Sequence, residues 1–323
     1  MQYSLAISIL AFTTLAGAAQ GQELEFATAA RARGLLSTKD AYIERMSPLD
    51  RSVRMKTDRL VTEAEYLELA ASATLDWEDW EKEAIGSAYQ KIEPTLKALR
   101  LPLPPRLFVV KTTGREEGGS WYTRQTAVIV PRAELRRPTS YLQKVLAHEL
   151  FHVASRAHPK LAERLYAAIG FRECGEPDYQ TRLLERRITN PDAPYNNYCI
   201  RVVLDGQSID ATPILFFGLE IHTRPRGGKW HEYLRRGLLL RTRPGEPTAE
   251  RIVQPKQVVG YFEQVGHNTS NVDHPEEIVA ENFALLVMGQ PVRSPAVLEN
   301  LRRALSEFAR GPASPPTEQP DNR

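Results

Sequence analysis

His148-Glu149-Leu150-Phe151-His152 combines residue types and a spacing that can do metal chemistry. Two histidines four apart lie on one face of an α-helix, one turn apart, so both imidazoles can reach one ion. Zn²⁺ accepts neutral imidazole nitrogen at about 2.0–2.1 Å and prefers four ligands in a tetrahedron. Glu149 follows the first histidine by one residue. Its carboxylate then stands beside the ion, where it can take a proton from a metal-activated water. The plain alternative is a core helix with two satisfied histidines. Against it, a buried glutamate between them is costly unless its charge is paired or used.

The flanking residues must place this pentad on a helix. Tyr141, Val145, His148 and His152 form one stripe at helical spacing, and Leu142, Leu146 and Val153 extend the apolar surface beside it. Thr139 or Ser140 can cap the N-terminus after Pro138, and Pro159 ends the helix. A third ligand has two candidates. Glu277 lies in His274-Pro275-Glu276-Glu277-Ile278-Val279-Ala280-Glu281, a second apolar helix with proline in its first turn. Glu281, one turn on, can accept the outer N–H of a ligand histidine and fix its ring. His158 is the other candidate, at the position where metzincins carry their third ligand. Those enzymes need a glycine where this chain has Ser155, and Met288, the only downstream methionine, sits in an apparent helix.

His148–His152 followed by Glu277-Ile278-Val279-Ala280-Glu281 resembles the gluzincin class of zinc peptidases, which includes thermolysin and the HtpX-like peptidases. The resemblance implies a zincin-like core and one Zn²⁺ per chain, held by His148, His152 and Glu277. It also implies Glu149 as general base and a peptide or protein as substrate. It covers two short helices. Glu281 stands where the class usually has aspartate, and the glutamate helix lies farther downstream than in thermolysin. The class also needs a donor for the oxyanion of the tetrahedral intermediate. Tyr261 is the first candidate, with Tyr122, His267 and His274 behind it. Two other readings are a non-catalytic exported metal-binding or interaction protein and an amidase of cell-wall peptides. Glu149 argues against the first, because a structural zinc does not need it.

The rest of the chain frames that site. Its 323 residues suffice for a sizeable core, and a formal net charge of +2 gives no support to a nucleic-acid partner. Residues 1–19 read as a signal peptide, with an apolar run from Leu5 to Phe12 and a small-residue cleavage site at Ala16-Gly17-Ala18. Export, to a periplasm or medium, is therefore expected, with no transmembrane segment beyond the signal. Cys174 and Cys199 are the only cysteines, which in an exported chain suggests one disulfide.

Residues 20–100 read as a helical N-terminal subdomain without chemistry of its own. Within it, Glu23–Leu36 has a helical pattern, Arg51–Arg59 is polar and irregular, and Pro94 should kink or stop a helix near Glu93. Residues 101–309 read as the metallopeptidase domain, with strands over Arg106–Val110 and Ser120–Val130. The second can be an edge strand that pairs with an extended peptide, or an ordinary member of a sheet. Residues 310–323 are Pro-rich and polar, a disordered tail by composition. The expected fold is α+β: a small sheet, the pentad helix and the glutamate helix, with the helical subdomain in front.

Overall fold

Phe108-Val109-Val110 and Ala127-Val128-Ile129-Val130 are runs of apolar, mostly β-branched residues, and a strand buried on both faces needs such a run. A computed structural model, which describes residues 24–218, 233–241 and 251–311, sets them side by side in one sheet. The expected signal peptide and the expected tail beyond residue 311 lie outside the described residues. This sheet has strands β1 (Leu24–Phe26), β2 (Thr74–Leu75), β3 (Leu107–Thr112), β4 (Tyr122–Arg124) and β5 (Ala127–Pro131). Its order is β1-β3-β5-β4, with β2 also on β3. The β1–β3 and β3–β5 pairs are parallel, and β4 returns antiparallel along β5 as the edge.

Helices cover both faces. α1 (Ala29–Leu36), α2 (Ala41–Arg45), α3 (Pro48–Arg54) and α4 (Glu63–Ser72) precede β2, and α5 (Asp79–Ala98) precedes β3. Phe108, Val110, Ala127 and Ile129 pack against α1 and α4. Leu107, Val109, Val128 and Val130 face the main core with α5 and the pentad helix α6 (Thr139–Ala157). That alternation is the period-2 consequence of the strand pleat.

Past α6 come α7 (Pro159–Ala167), β6 (Phe171–Glu173), α8 (Thr181–Arg186), β7 (Tyr198–Leu204) and β8 (Gln207–Phe217). β9 (Leu234–Leu240), β10 (Ile252–Val253) and the short α9 (Tyr261–Val265) follow, then α10 (Pro275–Met288) and α11 (Pro295–Arg310). Strands β6 to β10 form a second, antiparallel sheet in sequence order. Its β7–β8 hairpin turns at Asp205-Gly206, where both residues have positive φ (51° and 79°), as a two-residue hairpin loop requires. The glutamate helix α10 is buried over twelve of its fourteen residues and lies against α6. Gly289 ends it in the left-handed conformation. The chain is thus α+β, with both sheets contributing to one core. No described helix is long and apolar enough to cross a membrane.

Several local expectations are corrected. Part of the Glu23–Leu36 helical pattern is strand β1, because Leu24 and Phe26 add to the parallel sheet. Residues 48–54 form α3, capped by the Ser47 hydroxyl with Pro48 in the first turn. α5 runs through Pro94, since Leu96 and Leu101 pack into the core and hold its last turn. α6 starts on Thr139 itself with Pro138 as its cap residue, so neither Thr139 nor Ser140 caps it. Residues 20–100 are mostly helical, but β1 and β2 belong to the main sheet and α5 packs on α6. Residue 100 is therefore not a packing boundary.

Cys174 and Cys199 are bonded, with their Cα atoms 5.8 Å apart, and tie the end of β6 to β7. Alkylation without reduction should therefore label no thiol. Replacing both cysteines by alanine should cost about 3 kcal/mol for a loop of this length, read by denaturant unfolding. Two labelled thiols, or unchanged stability, would contradict the bond.

Candidate metal centre

α6 and α10 cross so that the pentad meets the first turns of the glutamate helix. Pro275 opens α10 and His274 caps it, its Nδ1 accepting the Glu276 N–H at 3.0 Å while Nε2 donates to the Tyr195 carbonyl at 2.8 Å. Both ring nitrogens are occupied, and burial lowers the pKa of His274. Such a neutral ring is a fixed strut for the helix start.

Glu277 then faces the pentad. Its Oε2 lies 3.3 Å from His148 Nε2, its Oε1 3.7 Å from His152 Nε2, and the two Nε2 atoms are 2.9 Å apart. The edge of a tetrahedron with ligands at 2.0–2.1 Å is about 3.3 Å. Two imidazoles and a carboxylate at this spacing fit a zinc-sized cation, and these three residues could hold a metal ion. Asn190 Nδ2 donates to Glu277 Oε1 at 2.6 Å and Asn271 Nδ2 donates to Oε2 at 2.9 Å. Burial opposes the Glu277 charge, yet His152, His148 and the Asn190 amide hold its carboxyl well below the usual range. Burial likewise opposes charge on His148, but the Glu277 carboxylate, at hydrogen-bonding range, raises it.

The outer nitrogen of His152 does not go to Glu281. Nδ1 bonds to Glu276 Oε1 at 2.7 Å, and Glu276 also accepts the hydroxyls of Ser155 and Tyr166. Glu281 stands 3.8 Å from His148 Nδ1, beyond a hydrogen bond, and pairs with Lys144 at 3.1 Å. Spacing alone pointed to Glu281, one turn beyond the ligand candidate. Glu276 was missed because a glutamate beside another reads as a solvated pair, whereas α10 is buried nearly all round.

Glu149 is 4% exposed and its Oε2 has no hydrogen-bond partner. Burial first, then the Asp192 carboxylate, pushes its pKa well above the usual value. Oxygens of Glu149 and Asp192 and a nitrogen of His152 lie within 4.8 Å of one another. Asp192 in turn accepts the backbone N–H (2.8 Å) and the hydroxyl of Thr123 on β4. The single strand expected over Ser120–Val130 is split by a turn at Gln125-Thr126 into β4, which is the edge, and β5, which lies inside the sheet, and the Thr123 N–H of β4 is already taken.

These groups open into a cleft of about 300 Å³ between the two sheets. Trp121, Ile188, Leu215 and Leu234 give it an apolar wall, and Arg236 and Asp273 a polar one. The other expected residues do not converge. His158 ends α6 with its ring against Phe308 and is not part of the histidine–glutamate group. Tyr261 is fully buried and donates its hydroxyl to the Val272 carbonyl, so it cannot reach into the cleft. His267 stacks on Phe262, and Tyr122 turns its hydroxyl to Glu116 at 3.4 Å. Tyr122 and His274 line the cleft, but their polar atoms are bonded to Glu116, the Glu276 N–H and the Tyr195 carbonyl, and Tyr261 and His267 are not among its lining residues. Asn190, Asp192 and Asn271 carried no spacing signal, because they lie in loops.

Comparison with family models, with curated proteins and with solved structures finds no match to this chain.

Glu276→Ala should remove the acceptor of His152, Ser155 and Tyr166 together. With hydrogen bonds to a buried charged group at stake, the expected loss is about 3 kcal/mol or more in denaturant unfolding. A loss under about 0.5 kcal/mol would mean that the network contributes nothing to the fold.

Proposed function

We propose that this protein is an exported, zinc-dependent peptidase that hydrolyses peptide or related amide bonds. The observation that carries the reading is the convergence of His148, His152 and Glu277 beside a buried carboxylate, Glu149, with one oxygen unpartnered. His148, His152 and Glu277 would hold the ion. When bound, zinc supplies Lewis acidity, both to the scissile carbonyl and to water. Glu149 accepts the proton of water as the water oxygen bonds to the carbonyl carbon. It then returns that proton to the amide nitrogen as the C–N bond breaks. Its Oε2 is free to take that proton, because no protein group bonds to it, and burial and the neighbouring Asp192 carboxylate raise its affinity for a proton.

Glu276 fixes the His152 ring, and Asn190 and Asn271 orient the Glu277 carboxylate. The apolar wall formed by Trp121, Ile188, Leu215 and Leu234 suits an apolar substrate side chain. The Cys174–Cys199 bond supports the export reading, because disulfides persist outside reducing compartments.

Zinc should bind at about one ion per chain. Metal analysis should find it lost in His148→Ala and Glu277→Ala and retained in His158→Ala; the opposite pattern would exclude this ligand set. At equal zinc content, Glu149→Gln should retain the ion and cleave a peptide library about 10²–10⁴-fold more slowly. Equal rates would remove Glu149 from the mechanism, and zinc binding without cleavage of any amide would favour a binding protein.

The pH dependence of zinc binding follows from His152. Burial disfavours its charge, but Asp192, Glu277 and the Glu276 hydrogen bond push its pKa up to about 9. The raised pKa means the metal-free site holds a proton below about pH 9, and an ion must displace it. Zinc affinity should therefore fall as pH drops below about 9, by about tenfold per pH unit for one proton. A titration flat between pH 7 and 9 would contradict this.

A further inference from the structure

Asn190, which orients Glu277, sits beside a residue whose backbone is held at both ends. Thr189 N–H donates to Asp50 Oδ2 at 2.8 Å, and the Thr189 carbonyl accepts from Arg54 Nη2 at 2.7 Å. Asp50 and Arg54 lie one turn apart on α3 and pair at 2.8 Å. Arg54 also pairs with Glu117, which accepts the hydroxyls of Tyr42 and Tyr66. The Arg54, Asp50 and Glu117 side chains are 6%, 1% and 4% exposed. The Thr189 hydroxyl donates to the Arg45 carbonyl at 3.0 Å, and Arg45 Nε donates to the Pro194 carbonyl at 2.8 Å.

Such an arrangement exceeds what packing a helix requires. Desolvating an arginine and two carboxylates is expensive, and apolar side chains of similar volume would hold α3 to the core at least as well. The charges do something that apolar groups cannot. The fork-shaped guanidinium grips Asp50, Glu117 and a carbonyl at once, fixing one peptide unit in direction as well as position. The next residue, Asn190, donates to Glu277 Oε1 and accepts the Asp192 N–H at 2.8 Å. One backbone segment therefore carries both Asn190 and Asp192 into the site.

We infer that the α3 pair Asp50–Arg54 is a positioning clamp for the metal centre: by fixing Thr189 it sets the Asn190 amide on Glu277. This inference rests on the proposed zinc-site reading. Arg54 and Glu117 line the same cleft as His148, Glu149 and Glu277, and Arg54 acts on Glu277 through Thr189 and Asn190.

The test uses the full chain and zinc alone as probe. Zinc affinity is measured by competition with a chelator for wild type, Arg54→Lys, Asn190→Ala and the double variant. Lysine keeps the charge but cannot serve three acceptors in the guanidinium's geometry. Each single variant should lose about 10–100-fold in affinity. The double should lose no more than the weaker-binding single, because both changes act on one link. Wild-type affinity in Arg54→Lys with a lowered unfolding midpoint would show a purely structural ion pair and overturn the clamp. So would losses that multiply. In parallel, hydrogen exchange of peptides covering 188–196 is followed in the metal-free protein. Arg54→Lys should speed exchange there, and unchanged protection would also overturn the inference. If Arg54→Lys does not fold, Asp50→Asn takes its place, since asparagine cannot accept from both Arg54 Nε and Thr189 N–H. If wild type takes up no zinc, the functional reading fails, and the exchange measurement alone decides the clamp.

Discussion

An ionised carboxylate buried between two apolar helices constrains much of this structure. Glu277 is 7% exposed on a helix with an apolar body, and a charge in that position is tolerated only when paired and hydrogen-bonded. Its partners come from three separate stretches: two imidazoles from α6, Asn190 from the segment between α8 and β7, and Asn271 from the loop before α10. A rotation of α10 about its axis would strand the carboxylate, so the requirement to pair it fixes how α6 and α10 meet. Breaking such an arrangement costs far more than making it gains. This favours one register over many that would bury the same apolar area.

The acidic residues around the site differ in how fully they are used. Glu276 is saturated by an imidazole and two hydroxyls, and Asp192 holds the Thr123 backbone and hydroxyl. Glu277 has an amide on each oxygen. Glu149 and Asp273 each keep a buried oxygen without a partner, but Asp273 pairs through its other oxygen with Arg236 at 2.7 Å. Saturated groups are held in place and hold others. An unsaturated buried oxygen is a standing cost, and such costs concentrate where a reacting proton has to go. That contrast supports assigning the chemistry to Glu149 and the geometry to its neighbours.

Residues 45–54 show how a stretch can read as featureless and still matter. Arg51–Arg59 is mostly polar, with Val53 and Met55 too few to make an amphipathic stripe, so it reads as irregular chain. The Ser47-Pro48 start signal for a helix was there to be used, and it is what caps α3. The burial of Arg54 left no trace, because an arginine that will be paired inside has the same letter as one that will face water.

Local periodicity made much of the fold legible. The His148–His152 spacing, the apolar stripe around it and the proline at the start of α10 all concern residues within a few turns, where 3.6-residue geometry decides which side chains share a face. The apolar, β-branched composition of β3 and β5 is local in the same sense, and two cysteines leave a single intrachain pairing. The tertiary structure decided the rest. It brought Glu277 rather than His158 to the histidines, gave the His152 ring to Glu276 rather than Glu281, and turned Tyr261 toward Val272. Each outcome depends on how one helix is rotated against another, or on where a loop returns. Those are set by the packing of the whole core and the pairing of its buried charges, and no spacing along the chain encodes them.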